Sequence, residues 1–272
     1  MVNILVTGCT GRMGQIISKL VLENENAKLS GVVEIDNHPA IGRDIGLIIG
    51  VGETGVKITS DFISSIENAD VYIDFTSPAA SLKFLTLASS KGKAAVIGTT
   101  GFTAQDIDFI KSEAEKIPVI LAPNMGLGVN LLFYLTKKIT EVLKDKQYDI
   151  EMVERHHRHK LDAPSGTAVR LGEIVAETVN KELDDIIKWG RYGRTENERS
   201  DDEVGILSLR GGEVVGEHTL YFSGKTEELI MTHRAYSREV FAQGAVNAAI
   251  WLSQNKSGLY DMQDVLGLKE EA

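Results

Sequence analysis

The chain has 272 residues, 43% hydrophobic and 25% charged, which suits about two domains of ordinary globular size. A formal net charge of −10 argues against the basic footprint of a nucleic-acid binder, and no run approaches the ~20 apolar residues of a membrane span. A single cysteine, Cys9, excludes a disulfide framework and a cysteine zinc site. The opening "MVNILVTG" lacks the features of a signal peptide, so a cytoplasmic location is expected, with neither nucleic acid nor membrane as a partner.

Residues 2–7, "VNILVT", form an apolar run ending at Gly8, after which Met13, Ile16, Ile17, Leu20 and Val21 recur at helical spacing. Strand, glycine turn and helix open a βαβ unit. Three further apolar runs end in small or polar residues: "VYIDF" into Thr76-Ser77-Pro78, "AAVIG" into Thr99-Thr100-Gly101, and "VILA" into Pro123-Asn124-Met125. Helical stretches at 79–90 and 104–116 separate them. This alternation predicts an α/β domain over 1–127 with a doubly wound parallel sheet.

After Gly128 the texture changes. A helix with Val129, Leu132, Phe133, Ile139 and Leu143 on one face leads to a strand, "YDIEMVE", and then to the basic stretch "ERHHRHKLDAPSGTA". A second helix carries Ala168, Leu171, Val175, Val179 and Leu183 in register, and the polar section 188–200 reads as a long loop. Beyond it, "EVGILSL", "EVVGEHTLYF" and "EELIMTHRA" read as strands joined by turns at Gly211-Gly212 and Gly224. A second, α+β domain on a mixed or antiparallel sheet is therefore expected over 128–239. The apolar helix at 241–252 is expected to return to the first domain, which the segment 240–272 completes.

"VTGCTGRMG" sets glycines at 8, 11 and 14 between a strand and a helix, so backbone can approach a pyrophosphate and the helix N-terminus can face it. Glu34 ends "LSGVVE" about 20 residues beyond, where the ribose-binding acid of a dinucleotide unit belongs. The strand ends at 75–78, 98–101 and 122–125 open onto the same sheet edge, with small side chains that leave room for a nicotinamide. An acid at Glu34 favours a free 2′-hydroxyl, and Ile35 and Asp36 supply no cation, so NADH is expected to serve at least as well as NADPH.

His156, His157 and His159 resemble a metal cluster, but along a strand His157 and His159 share one face while His156 points to the other, so no metal is expected. "DAPSGTA" places a proline, a serine and a glycine where a helix begins. Its N–H groups, the Ser165 and Thr167 hydroxyls and a nearby Lys160 make a carboxylate cradle within ten residues of a titratable histidine. That pairing suits a reductase whose substrate is a carboxylate and whose product needs a proton.

The string "ERHHRHKLDAPSGTA" resembles the signature of the dihydrodipicolinate reductase family, also called 4-hydroxy-tetrahydrodipicolinate reductases. "VTGCTGRMG", "GRDIGLIIGVGETGV", "DFTSP", "GTTG", "APNMGLGVN", "RGGEVVGEH" and "HRAYSREVFAQGAVNAAIWL" follow in the family's order. The resemblance implies a Rossmann-like first domain, a second domain for substrate binding and oligomerisation, and a homotetramer. It also implies hydride transfer from NADH or NADPH to C4 of a small dicarboxylate ring substrate, in lysine and diaminopimelate biosynthesis.

Carried over to this chain, His156 corresponds to the proton donor and Lys160 to a second acid or cation. His157 matches a substrate contact and Gly166-Thr167 the carboxylate-binding turn. Gly8, Cys9, Thr10, Gly11, Arg12, Met13, Glu34, Gly98, Thr99, Thr100, Ala122, Pro123, Asn124 and Met125 match cofactor contacts. Ile35 and Ser77 stand where some relatives carry arginine. Arg238 is a candidate for the second substrate carboxylate, and the glycine-rich 42–55 stretch and the 126–128 junction are candidates for mobile elements. An acylating semialdehyde dehydrogenase would need a catalytic cysteine, which Cys9 in the nucleotide loop does not offer, and homoserine dehydrogenase would not need the histidine-rich stretch. A dinucleotide sensor without turnover would not need its acid and anion-binding groups.

Overall fold

The computed structural model describes residues 1–194 and 197–269, and the chain divides into two units. Met1–Leu127, with the chain from Arg238 onward, forms the first, and Gly128–Ser237 the second. In the first, β1 (Val2–Thr7), α1 (Arg12–Glu23), β2 (Ala27–Val33), α2 (Ile45–Ile49), β3 (Ile58–Thr59), α3 (Phe62–Glu67) and β4 (Val71–Asp74) follow in order. Next come α4 (Pro78–Ser90), β5 (Ala94–Ile97), α5 (Ala104–Ala114) and β6 (Pro118–Leu121). The second holds α6 (Leu127–Leu143), β7 (Asp149–His156), α7 (Gly166–Thr178), α8 (Leu183–Ile186), β8 (Ile187–Trp189), β9 (Val204–Arg210), β10 (Gly216–Ser223) and β11 (Glu228–Ala235). The chain then returns to the first unit as α9 (Glu239–Leu252), β12 (Gly258–Tyr260) and α10 (Met262–Val265). No helix among the described residues is long and apolar enough to cross a membrane.

Among the described residues of the first unit, seven parallel strands run in the order β3-β2-β1-β4-β5-β6-β12. The chain winds outward from β1 on one side and restarts at β4 on the other, so the loops leaving β1 and β4 diverge at the sheet's carboxyl edge, where such folds seat ligands. The short strands "VYID" and "AAVI" are buried at every position because helices cover both faces. Ile4 and Val6 face one core with α1 and α9, while Leu5 faces the other with α3, α4 and α5. α9 brings a row of fully buried small residues, Ala242, Ala245, Ala248 and Ala249, against α1 and the sheet. Its Gly244 lies so close to the 122–125 segment that a Cβ there would fall 1.7 Å from the Met125 carbonyl oxygen.

The second unit's sheet runs β11-β10-β7-β9-β8 and is mixed: β7, β9 and β8 are parallel, and β10 lies antiparallel to both β7 and β11. β7 is central, and its alternation sends Ile150, Met152, Glu154 and His156 to the covered face. Cross-strand partners extend that face: Phe222, Leu220 and His218 on β10, and Val204, Ile206, Ser208 and Arg210 on β9. The apolar end packs on Val129, Leu132 and Phe133 of α6 and on Leu171, Ile174 and Val175 of α7.

Three sequence expectations change here. The helix predicted through Leu183 stops at Thr178, where Asn180 turns the chain at a φ of 57°. The section read as loop from 188 begins inside an edge strand, because Lys188 and Trp189 pair with Gly205 and Ile206; residues 195 and 196 of it lie outside the described residues. The Gly211-Gly212 turn does not join neighbours, since β7 separates β9 from β10. The glycine-rich 42–55 stretch is closed on itself by the Asp44 carboxylate, which accepts bonds from the N–H groups of Gly46, Thr54 and Gly55 and from the Thr54 hydroxyl.

Candidate active site

In the first unit, β1 ends at Gly8, whose φ of +59° favours glycine, and a Cβ there would lie 2.8 Å from a Thr76 methyl. The Gly11 N–H donates to the Gly8 carbonyl at 3.0 Å, and a Cβ on Gly14 would strike that same oxygen at 2.2 Å. The loop therefore folds flat onto the start of α1, whose N-cap, Gly11, supplies no side-chain bond to the first N–H groups. Such a bare, glycine-lined helix start fits a dinucleotide pyrophosphate. Arg12 is exposed and Met13 half-buried at this start. Cys9 is fully buried; that burial, with the Glu34 charge, pushes its thiol up to about 12, so it acts as a small inert filler.

Glu34, just past β2, turns back over the loop. One carboxylate oxygen accepts the Thr10 N–H at 3.1 Å and hydroxyl at 2.5 Å, and the other accepts the Ile35 N–H at 2.9 Å. Partial burial opposes its charge, but these bonds prevail and hold the carboxyl below its usual range. Gln15 fixes the loop from the helix side by donating to the Thr10 carbonyl at 2.6 Å.

The later segments meet at the same sheet edge. Gly98 donates its N–H to the Asp74 carbonyl, and a Cβ on it would lie 2.2 Å from the Phe75 ring. Thr99 is buried and Thr100 exposed; Ala122 and Met125 are buried, Pro123 is exposed, and Asn124 accepts the Gly126 N–H at 3.0 Å. Sequence reasoning missed the residue that ties these ends together. The fully buried Asp74 carboxylate accepts hydroxyl bonds from Thr7 at 2.6 Å, Thr76 at 2.7 Å, Thr99 at 3.0 Å and Ser81. Its signal was an acid at the end of a four-residue apolar strand, followed by "FTSP".

In the second unit, the polar end of the covered sheet face holds a buried cluster. Glu154 is wholly inaccessible, and its Oε2 lies 2.6 Å from His156 Nδ1. Arg210 donates two bonds to the same carboxylate, at 2.8 and 2.7 Å, and the Ser165 N–H donates a fourth at 3.0 Å. Burial alone would raise the Glu154 pKa; the bonds from His156, Arg210 and Ser208 overturn that and hold it down at about 2. His218 stands edge-on to His156, ring centres 5.2 Å apart, with its Nε2 2.9 Å from the Ser165 hydroxyl. Desolvation, then the neighbouring His156, pushes His218 down to about 3, so it stays neutral.

The structure brings His156, Ser165 and the start of α7 together. Ser165 is the N-cap of α7, its hydroxyl accepting the Ala168 N–H at 3.2 Å, so its polar groups serve the cluster. Gly166 is exposed, and nothing lies within 4 Å of a Cβ built on it, so a ligand can reach this helix start; Thr167 follows, half-buried. The strand ends at His156, so the expected alternation of His157 and His159 does not apply; both lie in the following turn, with ring centres 5.9 Å apart. His159 pairs in solvent with Glu213 at 3.2 Å. Lys160 is mostly covered, its ammonium 2.9 Å from Asp162. Arg238 belongs to the first unit, at the N-cap of α9. Glu154, Arg210 and His218 escaped sequence reasoning, yet each had a signal: a charged or polar residue at a core-facing strand position needs a buried partner.

Comparison with known proteins bears on this pair of sites. The family model described as dihydrodipicolinate reductase, N-terminus, matches residues 2–125, and that described as dihydrodipicolinate reductase, C-terminus, matches residues 128–266. The chain belongs to the dihydrodipicolinate reductase family. It is accordingly an oxidoreductase that depends on a pyridine nucleotide, with a Rossmann-like first unit. The 4-hydroxy-tetrahydrodipicolinate reductases of Geotalea daltonii and Pelobacter propionicus are 47% and 48% identical to it, over 99% of this chain and 100% of theirs. The solved dipicolinate-bound dihydrodipicolinate reductase from Paenisporosarcina sp. TG-14 matches with a TM-score of 0.75 at 26% identity, over 97% of this chain and 98% of that one. An amine dehydrogenase from Mycobacterium smegmatis shares the fold, with a TM-score of 0.58 at 12% identity.

Proposed function

We propose that the enzyme reduces 4-hydroxy-tetrahydrodipicolinate, or its dehydrated form, to tetrahydrodipicolinate in lysine and diaminopimelate biosynthesis. The observation that carries this reading is His156, held at the end of β7 by a buried carboxylate and set close to an open, glycine-started helix. The names of the curated relatives support the substrate, and the bound dipicolinate of the solved neighbour supports a ring dicarboxylate.

The Gly8–Met13 loop, Glu34 and residues 98–100 and 122–125 would hold the pyridine nucleotide, which when bound would supply the hydride for ring C4. This chain's part is to bind the substrate and deliver a proton. Gly166, Thr167, His157 and Lys160 receive one carboxylate at the start of α7, where N–H groups and a cation complement its charge. His156 gives a proton to the ring carbon beside C4 from Nε2, because Nδ1 is engaged by Glu154. A hydride and a proton together complete the reduction.

Glu34 also bears on cofactor choice. Its carboxylate, turned onto the loop by Thr10, would accept ribose hydroxyls and repel a 2′-phosphate, which supports use of NADH at least as well as NADPH. The uncovered face of the second sheet exposes Leu207, Leu209 and Ile230, which supports its burial against other copies in a homotetramer.

The test is oxidation of NADH and of NADPH by purified enzyme, with substrate made in place by its synthase. Wild-type protein is expected to oxidise both. His156→Ala is expected to lose roughly 10²–10⁴ in turnover while still binding cofactor. Wild-type turnover by that variant would remove His156 from the chemistry, and no oxidation by wild type would remove the substrate.

A further inference from the structure

The Glu154 carboxylate is wholly buried, and its bonds divide between its two oxygens. Oε1 accepts the Ser165 N–H at 3.0 Å and Arg210 Nη2 at 2.7 Å; Oε2 accepts Arg210 Nη1 at 2.8 Å and faces His156 Nδ1 at 2.6 Å. An ionised carboxylate only accepts, so the His156 atom pointing at it must carry hydrogen. Arg210 cannot lose its proton, the Ser165 N–H is backbone and the Ser208 hydroxyl also donates, so these donors keep the carboxylate ionised and do not let Nδ1 become the acceptor.

A second observation concerns the other ring nitrogen. Gly216, paired on β10 near the end of β7, stands beside His156 so that a Cβ there would fall 3.0 Å from Nε2. Glycine keeps that nitrogen clear. Both observations concern the orientation and protonation of one imidazole.

We propose that Glu154 and Arg210 are positioning residues that lock His156 in the tautomer with hydrogen on Nδ1, leaving Nε2 as the atom that takes up and releases the transferred proton. Arg210 acts through Glu154 by keeping it charged and aimed, and Gly216 leaves Nε2 its space. The low titration of Glu154 and the neutrality of His218 agree with this, since neither group competes for the Nδ1 hydrogen. The role in turnover rests on the reading of His156 as proton donor; the tautomer lock does not.

Glu154→Gln tests the lock. The amide oxygen stays with the two donors at Oε1, the Ser165 N–H and Arg210 Nη2, which gives up the Arg210 Nη1 bond, turns the amide N–H₂ toward Nδ1 and drives the ring into the Nε2–H tautomer. Imidazole nitrogen NMR on histidine-labelled protein, without substrate, is expected to show neutral His156 protonated at Nδ1 in wild type and at Nε2 in the variant. A wild-type ring protonated at Nε2 overturns the proposal, whether or not the variant folds.

With substrate, Glu154→Gln is expected to lower kcat by roughly 10²–10⁴ with KM within about threefold, as for loss of an imidazole-orienting carboxylate elsewhere. In a His156→Ala background the same substitution is expected to change kcat by less than about twofold. Further loss there, or kcat near wild type in the single variant, overturns the positioning role. Failure of wild type to reduce the substrate instead refutes the functional reading and leaves the tautomer result standing.

Discussion

Replacing Arg210 by methionine should expose the electrostatics of the cluster. The substitution keeps an unbranched side chain over the sheet but removes two of the bonds to a carboxylate with no solvent access. Breaking a buried pair by deleting one partner costs ~3–5 kcal/mol because the remaining charge is uncompensated. Glu154 has an escape, which is to take up a proton. From an ordinary value near ~4.5, holding that proton at pH 7 costs roughly 3–4 kcal/mol, which caps the penalty from the lost charge pair near that figure.

The sign with pH follows. In Arg210→Met the folded-state pKa of Glu154 rises above its unfolded value, so the folded state binds a proton that the unfolded state lacks. Relative to wild type, the variant's stability falls as pH rises, by up to ~1.4 kcal/mol per unit, and recovers on acidification from pH 7 to pH 5. Urea unfolding at both values measures this. The chain has two tryptophans, Trp189 in the second unit and Trp251 in the first, so a Trp251→Phe background makes fluorescence report the second unit. A penalty below about 1 kcal/mol at pH 7, or one that does not shrink at pH 5, would refute the argument.

His218 gives an opposite pH dependence. Its folded pKa of about 3 lies below the unfolded 6.5, so the stability it contributes is full above 6.5 and is lost as pH falls from there toward 3. His218→Gln should flatten the decline in melting temperature between pH 7 and pH 5, and an unchanged slope would contradict this. Gly14→Ala places a Cβ 2.2 Å from the Gly8 carbonyl, so the loop must shift; NADH affinity should fall at least about tenfold in fluorescence titration. Equal affinity would show that the loop tolerates the methyl. Asp74→Asn leaves one acceptor oxygen where hydroxyls of Thr7, Thr76, Ser81 and Thr99 converge on two, and should cost about 1–3 kcal/mol in thermal unfolding. An unchanged melting temperature would mean that those hydroxyls find other partners.

The first unit was legible because its signals are local. Apolar runs that end in glycine or hydroxyl residues are what a parallel sheet covered on both faces requires, and the spacing from Gly14 to Glu34 is set by one βαβ turn. The order of strands in the second unit was not legible. Nothing in "SLRGGEVVGEH" announces that β7, some fifty residues earlier, lies between β9 and β10, because register over that separation is decided by packing and not by the turn. The end of the second helix was missed for a similar reason: apolar spacing continues to Leu183, but Asn180 accepts a positive φ that ends the helix.

The chemistry of the second unit was half legible for a physical reason. His156 stood out in a run of cations, whereas Glu154 read as one more charge in an acidic protein. Period-two alternation separates the two cases: Ile150, Met152, Glu154 and His156 share a face, so a strand whose first half is core must bury its second half as well. A carboxylate there needs donors, and the partners come from β9 and β10 at matching register, Arg210 opposite His156 and His218 opposite Glu154. The core and the site are thus one continuous sheet face. The apolar end fixes the register against α6 and α7, and that register places the charged end. A slip of one residue in β7 would turn Met152 out of the core and Glu154 away from Arg210 together, so the packing that stabilises this unit also specifies where its proton donor stands.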